Sequence, residues 1–209
     1  MRLILASASP RRAELLRSAD YAFDVHAVEI DESPKPGESP AEYVERLAKE
    51  KSGKAMEGYG GPPQGSAKVE RGYDEPPMFL GADTAVVVGD TILGKPHDAE
   101  DAARMLRLLS GRTHHVMTGV CLRTAARSVS HVEISTVAFA TLTEDQIAWY
   151  VASGEGSDKA GGYAIQGLAS RFIPRIEGSY SNVVGLPIAV VDDLILRLTS
   201  PLAVLASGE

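Results

Sequence analysis

Two adjacent arginines follow a short apolar segment near the start of the chain. The apolar segment is residues 3–6, and Ser9 and Pro10 then favour the start of a helix, because proline lacks the N–H that would have no partner there. Arg11 and Arg12 fall in the first turn, where the helix dipole disfavours a cation by about 0.3–1 kcal/mol. A bound phosphate or carboxylate would offset that cost, because free N–H groups and guanidinium groups both bind anions. The junction therefore predicts an anion site, with a solvated arginine pair as the alternative.

A single carboxylate interrupts the apolar run of residues 78–88. This carboxylate, Asp83, follows Gly81 and Ala82, whose small side chains leave room for a ligand. An isolated carboxylate costs several kcal/mol to bury unless it binds a metal, a cation or hydrogen-bond donors. We therefore predict that Asp83 is catalytic, the alternative being a strand-end aspartate that pairs with a turn. A phosphoaspartyl site would need a second aspartate in the pattern Asp-x-Asp-x-Thr, and the chain does not have it here.

Three lysines are weaker candidates for binding phosphate. Lys95 lies between Gly94 and Pro96, and the proline keeps the preceding backbone extended so that the lysine can reach a phosphate oxygen. Lys51 lies on a predicted helix, and Lys159 lies in a glycine-rich stretch. A solvated position explains each of the three equally well.

A cluster of carboxylates follows the second predicted strand. Glu29, Asp31 and Glu32 form it, and together with Asp83 they could hold a divalent cation through hard oxygen ligands. Softer metal sites are not expected, because the chain lacks zinc-type clusters of cysteine and histidine. His114 and His115 are adjacent, and neighbours on a strand point to opposite faces, which does not suit chelation.

Composition excludes several classes of protein. The 209 residues are 44% hydrophobic and 23% charged, as in a globular protein with a packed core. No apolar run approaches the ~20 residues that span a bilayer, and no leader pattern is present, so we expect a cytoplasmic protein with no membrane partner. The net charge of −7 argues against binding a nucleic-acid polymer and favours a small anionic ligand. Cys121, the single cysteine, lies in an apolar run and is expected to be an inert core thiol.

Strand-forming and helix-forming segments alternate along the chain. Runs rich in Val, Ile and Phe predict strands at residues 3–6, 23–30, 78–89, 115–122, 129–139 and 172–177. Capping residues and apolar periodicity predict helices that begin near Pro10, Pro40, Asp98, Thr143 and Pro187. This mixed order predicts an α/β (mixed α+β) fold in which helices flank a central mixed sheet.

Two segments look unstructured within what we expect to be one domain spanning residues 1–209. Residues 58–77 are crowded with glycine, proline and charge, and we predict a mobile surface insertion there. Residues 200–209 are expected to form a loose tail.

Several short motifs, in one order along the chain, carry a family resemblance. They lie at residues 6–12, 38–40, 46–48, 81–84, 94–96, 109–111, 158–167, 178–180 and 183–187. With these motifs the sequence resembles the Maf family of nucleotide pyrophosphatases nearly from end to end. Only the 58–77 insertion and the tail stand outside the resemblance.

The resemblance implies a fold and an activity. The fold would be two-lobed and similar to inosine-triphosphate pyrophosphatases, with an active-site cleft between the lobes. The activity would be hydrolysis of a nucleoside triphosphate to the monophosphate and pyrophosphate, with a divalent cation such as Mg²⁺ or Mn²⁺. The resemblance also suggests a homodimer.

The resemblance assigns roles to particular residues. Asp83 matches the proton acceptor of the family, and Arg11, Thr84 and Gln166 match positions associated with substrate choice. These residue types are similar to those of the subgroup that prefers dTTP and UTP. Thr84 and Gln166 would then contact the O4/N3 edge of thymine or uracil.

Residues and resemblance together give a mechanistic hypothesis, in which water attacks the α-phosphorus. Asp83 accepts the proton of that water and, with Glu32, holds the metal or the attacking water. The triphosphate is held by Ser7, Arg11, Arg12, Lys51 and Lys95. Two alternatives stay open: a non-catalytic nucleotide-binding regulator of septum formation, and an enzyme for modified pyrimidine nucleotides.

Overall fold

The computed structural model describes residues 2–60 and 76–200. Seven strands and six α-helices alternate along this part of the chain, with two 3-10 helices at Ala160–Gly162 and Leu168–Phe172. The strands are β1 Arg2–Leu5, β2 Phe23–Val25, β3 Pro77–Val88, β4 Thr91–Leu93, β5 Thr113–Arg123, β6 Ser128–Ala138 and β7 Arg175–Glu177. The helices are α1 Pro10–Ser18, α2 Pro40–Gly58, α3 Ala99–Leu109, α4 Glu144–Ala152, α5 Tyr180–Val184 and α6 Ile188–Thr199.

All seven strands form one mixed sheet in the order β2-β1-β3-β5-β6-β7, with β4 also paired to β3. β1 runs parallel to β2 and to β3, and the other pairs are antiparallel. The predicted α/β class with a central mixed sheet is therefore confirmed. No helix in residues 2–60 and 76–200 is long and apolar enough to span a membrane.

One edge of β3 is interrupted. β5 pairs with β3 from Phe79 to Val87, so β1 and β4 share the opposite edge. β1 covers that edge only as far as Leu80, and β4 resumes the pairing at Val86. Residues 81–85 of β3 therefore present an edge without a partner strand, and Asp83 lies at its centre.

Two large hydrophobic cores lie at opposite ends of the long strands. One core joins α1 and α6 to the first half of β3, and it includes Leu16, Leu80 and Leu194. The other joins α3 and α4 to the second half, and it includes Val86 and Leu106. Residues 81–85, which we call the uncovered edge of β3, lie between the two cores. The two cores support the expected division into two lobes, which stays a prediction.

Helix α2 crosses the sheet in direct backbone contact. Its start is set by a capping box, in which the Ser39 hydroxyl and the Glu42 carboxylate each accept a backbone N–H. A Cβ atom at Gly81 would lie 2.1 Å from the Ala48 carbonyl oxygen, and a Cβ atom at Gly119 would lie 2.2 Å from that of Val44. Only glycine permits this approach, which places the next turn of α2 against Asp83.

Most of the predicted elements are present, and their differences have local causes. The second strand stops at Val25 instead of residue 30, because the short strand β1 offers no further partner. Strand β4 and helix α5 were not predicted, since each is too short to show a periodicity. Gly58 and Pro77 belong to α2 and β3. The rest of the predicted insertion falls largely on residues 61–75, and the tail on residues 201–209, all outside the described residues.

We predict that Gly81→Ala destabilises the protein by about 1–3 kcal/mol, because the added methyl group must displace the backbone of α2. Urea denaturation measures the free energy of unfolding. The matched control is Gly53→Ala on α2, where a Cβ atom would meet only the Arg123 Nε atom, at 3.9 Å. That control should raise the stability by about 0.5–1 kcal/mol. Equal destabilisation by the two substitutions would contradict the close contact at Gly81.

Candidate active site

A cavity of about 810 Å³ opens at the uncovered edge of β3. Glu29 and Asp31 of the predicted carboxylate cluster do not line it. Its wall contains every residue that the family resemblance and the mechanistic hypothesis assigned to the site, although these residues are spread over most of the chain. They are Ser7, Arg11, Arg12, Glu32, Lys51, Asp83, Thr84, Lys95 and Gln166. Lys159 also lines the cavity, so cations and carboxylates from both ends of the sheet face one space.

Two carboxylates and one lysine form the centre of the site. Asp83 is 9% exposed and Lys51 is 7% exposed. The Lys51 Nζ atom lies 2.6 Å from the Asp83 Oδ1 atom and 2.6 Å from the Glu32 Oε1 atom. The ammonium group therefore balances the buried charge of Asp83, as burial requires. The two carboxylate oxygens converge on one point.

The pKa of Glu32 follows from these neighbours. Burial alone would raise it, but the hydrogen bond and charge of Lys51 outweigh burial, and the charges of Lys95 and Arg12 add to the effect. The net result is a lowered pKa, so the Glu32 carboxylate is ionised at neutral pH.

The loop that carries Glu32 is tied to α2. The Tyr43 hydroxyl donates to the Glu32 carbonyl oxygen at 2.9 Å. Burial and the charges of Asp83 and Glu32 raise the pKa of Tyr43 to about 12, so this donor keeps its proton. Arg46 donates to both carboxylate oxygens of Glu38 and, at 3.1 Å, to the Ser33 carbonyl oxygen. These contacts fix both sides of Glu32.

The β1–α1 junction has the groups expected of an anion site. Pro10 begins α1 and Ser9 is its N-cap residue, as the helix start predicted there requires, although the Ser9 hydroxyl accepts no helix N–H. Ser7 takes part instead: its Oγ atom accepts from the Ser9 N–H at 3.2 Å and from Arg12 at 3.0 Å. Both bonds use Ser7 as acceptor, which leaves its proton for a ligand oxygen.

Arg12 donates hydrogen bonds to residues of the uncovered edge of β3. Its guanidinium donates to the carbonyl oxygens of Ala82 and Gly185, each at 2.9 Å, and to the hydroxyls of Ser7 at 3.0 Å and Thr84 at 3.1 Å. The side chain is buried, and burial lowers its pKa although the nearby charge of Asp83 opposes this. Arg12 thus binds protein acceptors, and its expected contact with phosphate stays a prediction.

Thr84 also belongs to this internal network. Its Oγ1 atom lies 3.0 Å from the Thr118 Oγ1 atom and 3.3 Å from the Gly185 carbonyl oxygen, in addition to the bond from Arg12. Successive residues of a strand face opposite ways, so Thr84 points away from the face that carries Asp83. A contact between Thr84 and a base therefore requires the exchange of one of these bonds.

The opposite wall of the cavity comes from residues that follow β4. Lys95 and Gln166 are exposed there. The Gly161 N–H donates to the Gly94 carbonyl oxygen at 2.9 Å, which ties the Lys95 turn to the glycine-rich stretch. Lys159 pairs with its neighbour Asp158.

A divalent cation fits the central carboxylates. Magnesium is usually bound by one or two carboxylates together with phosphate oxygens and water, and Asp83 and Glu32 supply two neighbouring carboxylates, both of which pair with Lys51. Within residues 2–60 and 76–200, no group of three or more His, Cys, Asp or Glu side chains forms a denser metal site. His114 and His115 point to opposite faces as predicted, since His114 is buried and His115 is exposed.

Sequence analysis missed the residues that support the site. Tyr43 and Arg46 stabilise the loop that carries Glu32. In the sequence, their positions fit an ordinary amphipathic helix and do not indicate this role. Tyr150 and Glu155 accept hydrogen bonds from the backbone on either side of Gln166, and nothing in the sequence links them to it. The motif of residues 38–40 and 46–48 contains both members of the Glu38–Arg46 pair and is the signal in the sequence that points to it.

Comparisons with known proteins show what the chain is similar to. The family model described as Maf-like protein matches residues 2–198. A dTTP/UTP pyrophosphatase from Anaeromyxobacter dehalogenans (strain 2CP-C) is 47% identical over 205 residues, covering 96% of both chains. Another, from Hahella chejuensis, is 48% identical over 187 residues, covering 90% of this chain and 87% of its own. The crystal structure of a protein from Vibrio cholerae is a distant match, with a TM-score of 0.43 at 13% identity over 95% of both chains.

The Glu38–Arg46 pair predicts a pH dependence of stability. The hydrogen bond from Arg46 lowers the pKa of Glu38 from 4.5 to about 2. A lowered carboxyl pKa stabilises the folded state above the unfolded pKa, and this stabilisation is lost as the pH falls from about 4.5 towards 2. We therefore expect Glu38→Gln to be less stable than the wild type at pH ~6, with a difference that shrinks in acid.

Urea denaturation at several pH values measures this difference. The control is Glu57→Gln, which removes an exposed carboxylate near the end of α2 and should give no such trend. A difference that stays constant from pH ~6 to pH ~3 would show that Glu38 does not stabilise the fold through its charge.

Proposed function

Since the chain belongs to the Maf family, we propose that it is a nucleoside triphosphate pyrophosphatase that hydrolyses dTTP and UTP to the monophosphate and pyrophosphate. The observation that carries the proposal is the convergence of Lys51, Asp83 and Glu32 on one point of a cavity lined by further cations. Relatives that are 47–48% identical over most of the chain and are named for dTTP and UTP support this substrate class. A cytoplasmic location and a homodimer stay predictions.

Cations from both walls of the cavity would bind the triphosphate. The α1 N-terminus with Ser7 and Arg11 would hold one part of it, and Lys95 from the opposite wall would hold another. A triphosphate carries several negative charges, and oriented donors in a partly enclosed site stabilise such charge more strongly than water does. Arg12 would fix the wall between them, because its hydrogen bonds go to backbone carbonyls and hydroxyls.

Asp83 would act as the general base. A water oxygen bonds to the α-phosphorus while the bond to the departing pyrophosphate breaks, and the water proton passes to Asp83. One carboxylate oxygen of Asp83 accepts from Lys51, and in residues 2–60 and 76–200 the other has no hydrogen-bond donor, so it can receive the proton. Asp83 and Glu32 would also hold a divalent cation, which offsets the negative charge of the phosphate oxygens when it is bound.

Selection of the base would depend on Gln166. Its exposed amide carries both a donor and an acceptor, as required to read the O4/N3 edge of thymine or uracil. Cytosine presents the reverse pattern at this edge and would leave the amide groups unpaired. Thr84 would contribute after exchanging one of its internal bonds. Modified pyrimidine nucleotides that keep the O4/N3 pattern would be accepted as well.

We predict that Asp83→Asn lowers the turnover of UTP at least about 100-fold, because the amide cannot accept the proton. Release of pyrophosphate measures the rate, and circular dichroism checks the fold. The matched control is Asp90→Asn, an exposed aspartate in the turn between β3 and β4, which should keep wild-type turnover. Near wild-type turnover by Asp83→Asn would refute its role as base.

A panel of nucleotides tests the substrate class. With magnesium or manganese, UTP and dTTP should give the highest kcat/KM and yield the monophosphate and pyrophosphate, and CTP and GTP should be poor substrates. Turnover should stop in EDTA and return with the metal, because the two carboxylates need a cation beside the phosphates. A flat profile would overturn the proposed base selection. Tight nucleotide binding with no turnover would favour the alternative of a non-catalytic regulator.

A further inference from the structure

Gln166 lies on a segment with little regular structure. Residues 163–167 connect the two 3-10 helices, and Ile165 and Gln166 from this connection line the cavity. An exposed side chain on such a segment can select a base only if the backbone beneath it is held in place. The contacts behind the segment show what holds it.

Tyr150 supports the start of the segment. It lies on α4 and is 1% exposed, and its hydroxyl accepts from the Ala164 N–H at 3.1 Å. The same hydroxyl donates to the Glu155 Oε2 atom at 2.8 Å. Burial raises the pKa of Tyr150, so the hydroxyl keeps the proton that it donates.

Glu155 supports the end of the segment. Its Oε1 atom accepts from the Leu168 N–H at 2.8 Å, and its Oε2 atom accepts from the Ala169 N–H at 3.4 Å. The carboxylate also lies directly against Gly167, where a Cβ atom would come within 1.8 Å of the Oε1 atom. Glu155 therefore touches the segment on the residue next to Gln166.

We infer that Tyr150 and Glu155 are positioning residues that fix Gln166 for base selection from outside the cavity. Neither side chain lines the cavity, so neither can contact the base itself. Their bonds join Ala164 on one side of Gln166 to Leu168 on the other through a single hydroxyl–carboxylate pair. The inference rests on the proposed hydrolysis of UTP and dTTP.

The inference separates base selection from the chemical step. Asp83 and Lys51 lie on β3 and α2, and the Gln166 segment forms part of the opposite wall. Loosening the segment should therefore raise the KM for UTP and weaken discrimination against CTP, while kcat for UTP changes little. A residue needed only for folding would instead lower the stability and affect both nucleotides alike.

Steady-state kinetics with UTP and CTP test the inference in Tyr150→Phe and Glu155→Gln. We expect the ratio of kcat/KM for UTP to that for CTP to fall about tenfold, mainly through the KM for UTP, with kcat within about twofold. Gly167→Ala should act in the same direction, because its methyl group displaces the Glu155 carboxylate. Hydrogen exchange should also become faster at the backbone amides of Ala164, Leu168 and Ala169.

The matched control is Tyr21→Phe. The Tyr21 hydroxyl donates to the Asp192 carboxylate at 2.9 Å, a similar pair outside the cavity wall, so the UTP-to-CTP ratio should not change. A wild-type ratio in all three variants, even with faster exchange, would overturn this inference alone. Equal loss of activity towards UTP and CTP would also overturn it. A wild-type protein that does not prefer UTP would overturn the proposed function, and this inference with it.

Discussion

The close backbone contact between α2 and the sheet is the constraint on which the site depends. Gly81 and Gly119 allow the carbonyl oxygens of α2 to approach β3 and β5 more closely than any side chain would permit. One turn beyond this contact, Lys51 reaches the buried carboxylate of Asp83. Without that ammonium group, burying the carboxylate would cost several kcal/mol. The glycines therefore allow Lys51 to neutralise a carboxylate that is buried in an apolar strand.

The uncovered edge of β3 is the second feature that shapes the site. The backbone carbonyl of Leu80 is satisfied by the Ala6 N–H at 2.8 Å, just beyond the end of β1, and that of Ala82 is satisfied by the guanidinium of Arg12. Arg12 thus supplies the next hydrogen bond beyond the point where strand pairing stops, and it also donates to Gly185 and Thr84. The cavity is open because no strand pairs with this edge. Its wall is stable because Arg12 donates to a carbonyl group that a neighbouring strand would otherwise bind.

Much of the architecture could be predicted from local signals. The Ser39 capping box and the proline at the start of α1 determine helix starts, and both are properties of a few adjacent residues. Asp83 could be singled out because a carboxylate in an apolar strand needs a partner, whichever partner it is. The identity of that partner, Lys51, depends on how α2 crosses the sheet, and local spacing does not encode that crossing.

Other features depend on contacts between distant segments and could not be predicted. The length of β2 is limited by β1, and the hydroxyl of Thr84 is used by Arg12 and Thr118. Tyr150 reads as an ordinary core residue of α4 until the fold brings Ala164 to its hydroxyl. Sequence reasoning therefore found the charged side chains that face the cavity, but not the groups that hold them there.

The short unpaired stretch of β3 also bears on how the molecule behaves in a crowded solution. An exposed sheet edge is normally a template on which another chain can add a strand and begin to aggregate. Here β1 and β4 close the edge on both sides of residues 81–85, and Arg12 occupies one of the carbonyls between them. A stretch this short offers a foreign strand few backbone groups to pair with, so the molecule can present backbone groups to a small ligand without exposing a long edge to another polypeptide.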